Sequence, residues 1–127
     1  MQVLLLDANA RLGSIVTCSV GEYESEEENE NGEQFHSLLM EEQFFVPRTF
    51  FRTHGRVGTT WRHSSGAEAR IDYVAFPLEW FHKVKFAGRA VDIDLAFRRQ
   101  DHWATEARVH YTNQVSESCV VRRSVSY

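Results

Sequence analysis

Three short stretches hold the side chains best suited to chemistry: Asp7-Ala8-Asn9, Arg70-Ile71-Asp72-Tyr73 and Asp101-His102. Carboxylates hold hard cations and accept protons, and an imidazole can exchange a proton near neutral pH. Each stretch also has an ordinary use. Asp7 and Asn9 suit a strand-to-loop turn, Asp72 could pair with Arg70 or Arg62, and Asp101-His102 could be a plain loop pair.

Asp72 is the most informative of these residues, because it interrupts the otherwise apolar run 69–77. The two-residue period of a strand puts Ile71, Tyr73 and Ala75 on one face and Asp72, Val74 and Phe76 on the other. Both faces beyond Asp72 are apolar, so the strand is expected between two layers with Asp72 near its start. A buried carboxylate is costly unless it is paired.

The elements that would position these groups can be read in chain order. The apolar run 3–6 reads as a buried strand that ends at Asp7. Residues 21–32 are rich in Glu and Asn and read as a solvated, mobile insertion. Phe35, Leu38 and Leu39 recur at helical spacing, which predicts a helix over 33–43 that has ended by Pro47. Segments 48–53 and 59–63 read as strands around Gly55 and Gly58, with a turn at Ser64-Ser65-Gly66. A turn or single helical turn is expected over 77–81, strands over 91–97 and 103–111, and a tail of uncertain order from Asn113. The domain is therefore expected to occupy 1–112, followed by a tail over 113–127.

Composition bounds the problem without solving it. The 127 residues suit one domain, with 43% hydrophobic residues available for a core. The formal charge of -4 is unevenly spread: seven of the 18 acids are Glu residues between positions 22 and 33. Without them, 14 basic face 11 acidic residues, a balance compatible with an anionic substrate. Cys18 and Cys119 form no CxxC pair and so indicate neither a zinc knuckle nor a disulfide framework. The opening run lacks a basic n-region and is too short for a signal peptide or membrane span, which leads us to expect a nuclear or cytoplasmic protein. The chain begins inside an apparent strand, so an upstream part of the domain is expected to be missing.

In their order along the chain, these three motifs resemble the C-terminal half of the endonuclease/exonuclease/phosphatase superfamily. Thr59-Thr60-Trp61-Arg62-His63 is similar to the Thr-Trp segment of its non-LTR retrotransposon endonucleases. The resemblance covers about residues 3–109 and departs at two positions. Gln100 stands where the family usually has Ser, and Leu6 where it usually has Gly.

This resemblance implies a β-rich α/β fold, half of a four-layer α/β-sandwich with two packed mixed sheets. It also implies a hydrolase that cleaves phosphodiesters with Mg²⁺ or Mn²⁺, most simply a DNA endonuclease, with phosphatase action on a phosphorylated small molecule or lipid as a variant. Asp7 would position or deprotonate the attacking water, and Asn9 would hydrogen-bond the phosphate or that water. His102 would contact a phosphate oxygen or act as acid or base, held by Asp72, while Asp101 would help hold the metal. The family's other half carries an Asn and the metal-binding Glu, so the chain alone is expected to be inactive or nearly so. A rival expectation is a non-catalytic remnant or binding module of the same fold.

The remaining features favour structural roles. His54 and His63 lack a third ligand at zinc-like spacing. Trp61, Trp80 and Trp103 suit packing better than base stacking. Arg62, Arg70, Arg98 and Arg99 could line a phosphate-tracking surface. Half of a sandwich should leave an apolar face or strand edge open, and self-association would follow.

Overall fold

The structure is a computed structural model, which describes residues 2–52, 59–89, 105–112 and 116–123. The fold is mixed α/β and rich in strand. Its centre is β5 (Asp72–Pro77), which pairs with β1 (Leu4–Asp7) on one side and β2 (Phe44–Phe45) on the other. The alternation expected of residues 71–76 serves two cores. Tyr73 and Ala75 join Leu12, Val20, Phe35 and Leu39, whereas Val74 and Phe76 join Trp80, Val84, Ala107 and Val109.

Helix α1 (Glu30–Glu41) therefore covers one face of this sheet. A second sheet of β6 (Val84–Arg89), β7 (Thr105–Thr112) and β8 (Ser116–Arg123) covers the other. Burying each Val or Phe side chain at these interfaces contributes roughly 1.5–3 kcal/mol. These make three layers, and the second helix layer of a four-layer sandwich is not among the described residues. Every described strand pair is antiparallel, not mixed as expected. Antiparallel pairing sets the end of one strand beside the start of its neighbour.

Helix α1 starts three residues before its expected start, because Asn29 caps it. The Asn29 side chain accepts the Gly32 N–H at 2.7 Å and the Arg11 N–H at 3.0 Å. Glu30 and Glu33 in the first turn suit the positive end of the helix dipole. The buried stripe is Gly32, Phe35, His36 and Leu39, while Leu38, expected to face the core, is 46% exposed.

The acidic segment is fastened, contrary to the expectation of a solvated, mobile loop. Glu22, Glu27, Glu30 and Glu33 are exposed, but Glu24, Glu26 and Glu28 turn inward. Glu26 accepts the Arg70 N–H at 2.9 Å, and its backbone bridges to Leu12 and Ser14. Glu28 meets His36 Nδ1 at 2.9 Å. Glu24 lies 3.8 Å from the buried Arg48 guanidinium. Distant basic partners make inward-facing acids tolerable here.

Residues Pro47–Phe50 form a 3-10 helix, not a strand, as Pro at its first position favours. The hairpin in this region is β3 (Trp61–Arg62) with β4 (Glu68–Ala69), turning through the expected Ser64-Ser65-Gly66. Leu78–Lys83 form the expected helical turn, as a 3-10 helix. Strand β6 was not foreseen, and β8 forms from residues expected to be tail. The expected strand 91–97 lies outside the described residues, as do Asp101, His102, Trp103, Arg98, Arg99 and His54. No described helix is long and apolar enough to cross a membrane.

Candidate functional site

The end of β1 and the start of β5 meet because the two strands run antiparallel. Leu4 pairs with Ala75, Leu5 with Val74, Leu6 with Tyr73 and, last, Asp7 with Asp72. The Ala8 N–H donates to the Ile71 carbonyl at 2.9 Å, so positions 8 and 71 form the hydrogen-bonded pair. Positions 7 and 72 then form the narrow, non-hydrogen-bonded pair, in which Cα atoms usually stand about 4.5 Å apart. Both aspartates project on the same face, the one Val74 and Phe76 turn toward the second sheet. Asp72 is 1% exposed, whereas Asp7 is exposed.

Like charges directly opposite one another are destabilising. Two carboxylates so placed are tolerated where positive charge or hydrogen-bond donors offset them. Mg²⁺ is commonly held by one or two carboxylates, with waters and substrate phosphate completing its shell. A facing pair, one exposed and one buried, fits that habit. Among the described residues, no group of three or more His, Cys, Asp or Glu side chains could hold a metal ion.

Two residues fix the pair in place. Thr60, fully buried, accepts the N–H groups of Ile71 and Asp72 through its Oγ1, each at 3.0 Å. Its own N–H donates to the Ala69 carbonyl, locking the 60s segment against the start of β5. Tyr73, next to Asp72, shares its single hydroxyl proton between the Ala10 carbonyl at 2.6 Å and the Arg70 carbonyl at 2.7 Å. It thus ties the residues just after Asp7 to those just before Asp72. Burial pushes the Tyr73 phenol up to about 12, against an opposing pull from the Arg70 guanidinium.

Asn9 stands two residues beyond Asp7 in the left-handed region at φ 46°, a conformation Asn tolerates better than most residues. The Asp7 Oδ1 accepts the Asn9 N–H at 3.0 Å, and the Asn9 carbonyl accepts the Asn31 side chain at 3.1 Å. The structure thus brings Asp7, Asn9 and Asp72 to one end of the central sheet. Asp101 and His102, the expected metal and imidazole residues, lie outside the described residues.

The basic residues are divided differently from expectation. Arg70 is 2% exposed and donates to the Leu12 and Tyr23 carbonyls at 3.1 and 3.3 Å, with Glu24 4.0 Å away. It is neither the partner of Asp72 nor open to a phosphate. Arg62 is exposed and pairs with Glu68 at 3.0 Å. Exposed His63 bonds to Ser65, and Trp80 is buried in the core, as the packing reading has it.

Sequence reasoning passed over one polar group in the helix core. His36 lies beside Phe35 and Leu39 in the buried stripe of α1, and its ring joins Glu28 to Thr17. A histidine within an apolar helical stripe was the available signal. Comparison with known proteins finds no family model, no curated protein and no solved structure that matches this chain.

Proposed function

We propose that the Asp7 and Asp72 end of the central sheet is part of a metal-dependent site that hydrolyses phosphodiesters, with DNA as the favoured substrate. The observation that carries this reading is the register: the residues that the endonuclease/exonuclease/phosphatase resemblance implicates at positions 7 and 72 are direct cross-strand partners. A slip of one residue would send Asp7 to the opposite face.

In this reading the exposed Asp7 carboxylate orients or deprotonates the attacking water, and Asn9 hydrogen-bonds the phosphate or that water. Buried Asp72, its backbone held by Thr60, orients His102 toward a phosphate oxygen. Asp101 contributes to holding Mg²⁺ or Mn²⁺, whose chemistry when bound is to offset charge building on the phosphoryl oxygens. The helix, sheet and sheet layers are compatible with half of a four-layer sandwich. The resemblance adds a metal-binding Glu and a companion Asn to the complete site. A phosphorylated small molecule or lipid is the alternative substrate within the same chemistry.

One observation favours a second reading, a non-catalytic remnant or binding module. The Asp7 bond to the Asn9 N–H, together with the left-handed Asn9 backbone, accounts for both residues as turn chemistry. The deciding experiment is nicking of supercoiled plasmid in Mg²⁺ by a chain that also carries the upstream strands this reading requires. The comparison is its Asp101→Ala, His102→Ala variant; equal nicking by the two rejects the enzyme reading.

A further inference from the structure

On the opposite face of the central sheet, three segments distant in sequence meet at one imidazole. Thr17 Oγ1 lies 2.7 Å from His36 Nε2, and Glu28 Oε2 lies 2.9 Å from His36 Nδ1. The His36 and Glu28 side chains are only 5% and 7% exposed, while Thr17 is half-buried and reaches the surface.

The hydrogen-bond directions follow from the partners. A carboxylate only accepts, so His36 Nδ1 carries the proton facing Glu28. In the neutral ring Nε2 is then an acceptor, and the Thr17 hydroxyl must donate to it. The Thr17 oxygen in turn accepts the Ser19 N–H at 3.1 Å. A hydroxyl, a base with an accepting nitrogen and a carboxylate that fixes the base's tautomer are the parts of an activated nucleophile. Ile15 and Val16, just before Thr17, are 55% and 58% exposed, which offers an apolar surface beside the hydroxyl.

We propose that Thr17, His36 and Glu28 form an acyl-accepting site for carboxylic esters with a short apolar acyl group. The Thr17 Oγ1 lone pair attacks the ester carbonyl carbon while its proton passes to His36 Nε2. The tetrahedral intermediate collapses, breaking the bond to the leaving oxygen, which takes that proton. Water then attacks the acyl-threonine with His36 again as base, releasing the acid and restoring the hydroxyl. His36 touches the reacting oxygen; Glu28 is a positioning residue that acts through the ring. The site is separate from Asp7 and Asp72 and does not depend on the phosphodiester reading.

The test uses the whole chain with p-nitrophenyl butyrate, following p-nitrophenolate release and mapping the acyl group by peptide mass spectrometry. The proposal expects butyryl on Thr17, and release slowed about 100-fold or more in Thr17→Val and His36→Gln, the range general-base catalysis supplies. Thr17→Ser should retain release, and so should Cys18→Ser, which removes the exposed thiol next door. Glu28→Gln should lower the maximal rate with little change in KM, since Glu28 touches the ring and not the ester. Acyl groups only on residues other than Thr17 in the wild-type chain would overturn the proposal whatever the variants do. So would undiminished release by a folded Thr17→Val.

Discussion

Asp7 and Asp72 are direct cross-strand partners at the last position of the β1 and β5 pairing. The same register sets Leu4 against Ala75 and Leu6 against Tyr73, on the face that packs against α1. The core thereby constrains the site, because a one-residue slip of β1 would turn the leucines out of the core as it separated the aspartates.

Asp72 is expected to hold His102. Replacing it in Asp72→Ala removes the charge that favours the protonated ring, so the His102 titration should move to lower pH. Histidine-selective NMR across pH 5–8 reads this directly. An unmoved His102 midpoint would separate the two residues.

Thr60 satisfies two adjacent buried N–H groups with one oxygen. Thr60→Val keeps the shape and leaves both donors without that acceptor, so unfolding in urea should show a loss of about 2–4 kcal/mol. Thr60→Ser should recover most of it. Equal stability of the Val and Ser variants would mean that the hydroxyl does not anchor β5.

Tyr73 links stability to alkaline pH. Its folded pKa, raised by burial from 10.0 to about 12, means that the folded chain holds this proton more tightly than the unfolded chain. The resulting stability is fully present below pH 10 and is lost as pH rises from 10 toward 12, at up to about 1.4 kcal/mol per pH unit. Urea midpoints measured across that window should fall more steeply for the wild type than for Tyr73→Phe. Parallel slopes would contradict the assignment.

Gly32 sits inside α1, where alanine normally gains about 1 kcal/mol. Here an added Cβ would stand 2.0 Å from the Arg11 carbonyl oxygen. Gly32→Ala should therefore lower the melting temperature, and a rise would show that α1 can move away from the Arg11 segment at little cost.

Periodicity made the centre of the molecule legible. The two-faced burial of residues 71–76 and the carboxylate at the start of β5 follow from alternation alone, and the helix from the spacing of Phe35 and Leu39. What escaped depends on partners far away in the chain. Glu24, Glu26 and Glu28 look solvated until Arg48, Arg70 and His36 are seen to receive them. Arg70 looks like a surface cation until its bonds to Leu12 and Tyr23 place it inside. Strand β6 escaped because its Lys85, Gly88 and Arg89 break the apolar alternation, and β8 because it is completed by pairing with β7. In the site, Asp7 and Asp72 could be nominated by residue type, but their opposition is a property of register that no local pattern encodes.

Phosphodiester cleavage is expected to depend on the charge of Asp7 and Asp72. Asp7→Asn is the sharpest probe, because the amide oxygen can still accept the Asn9 N–H and keep the turn. Plasmid nicking in Mg²⁺ should be measured for the chain carrying the required upstream strands, with and without Asp7→Asn and Asp72→Asn. The parent should nick and each variant should lose about 100-fold or more, with the Asp7→Asn melting temperature nearly unchanged. Nicking by folded variants at the parent rate would contradict it, as would a parent that does not nick at all.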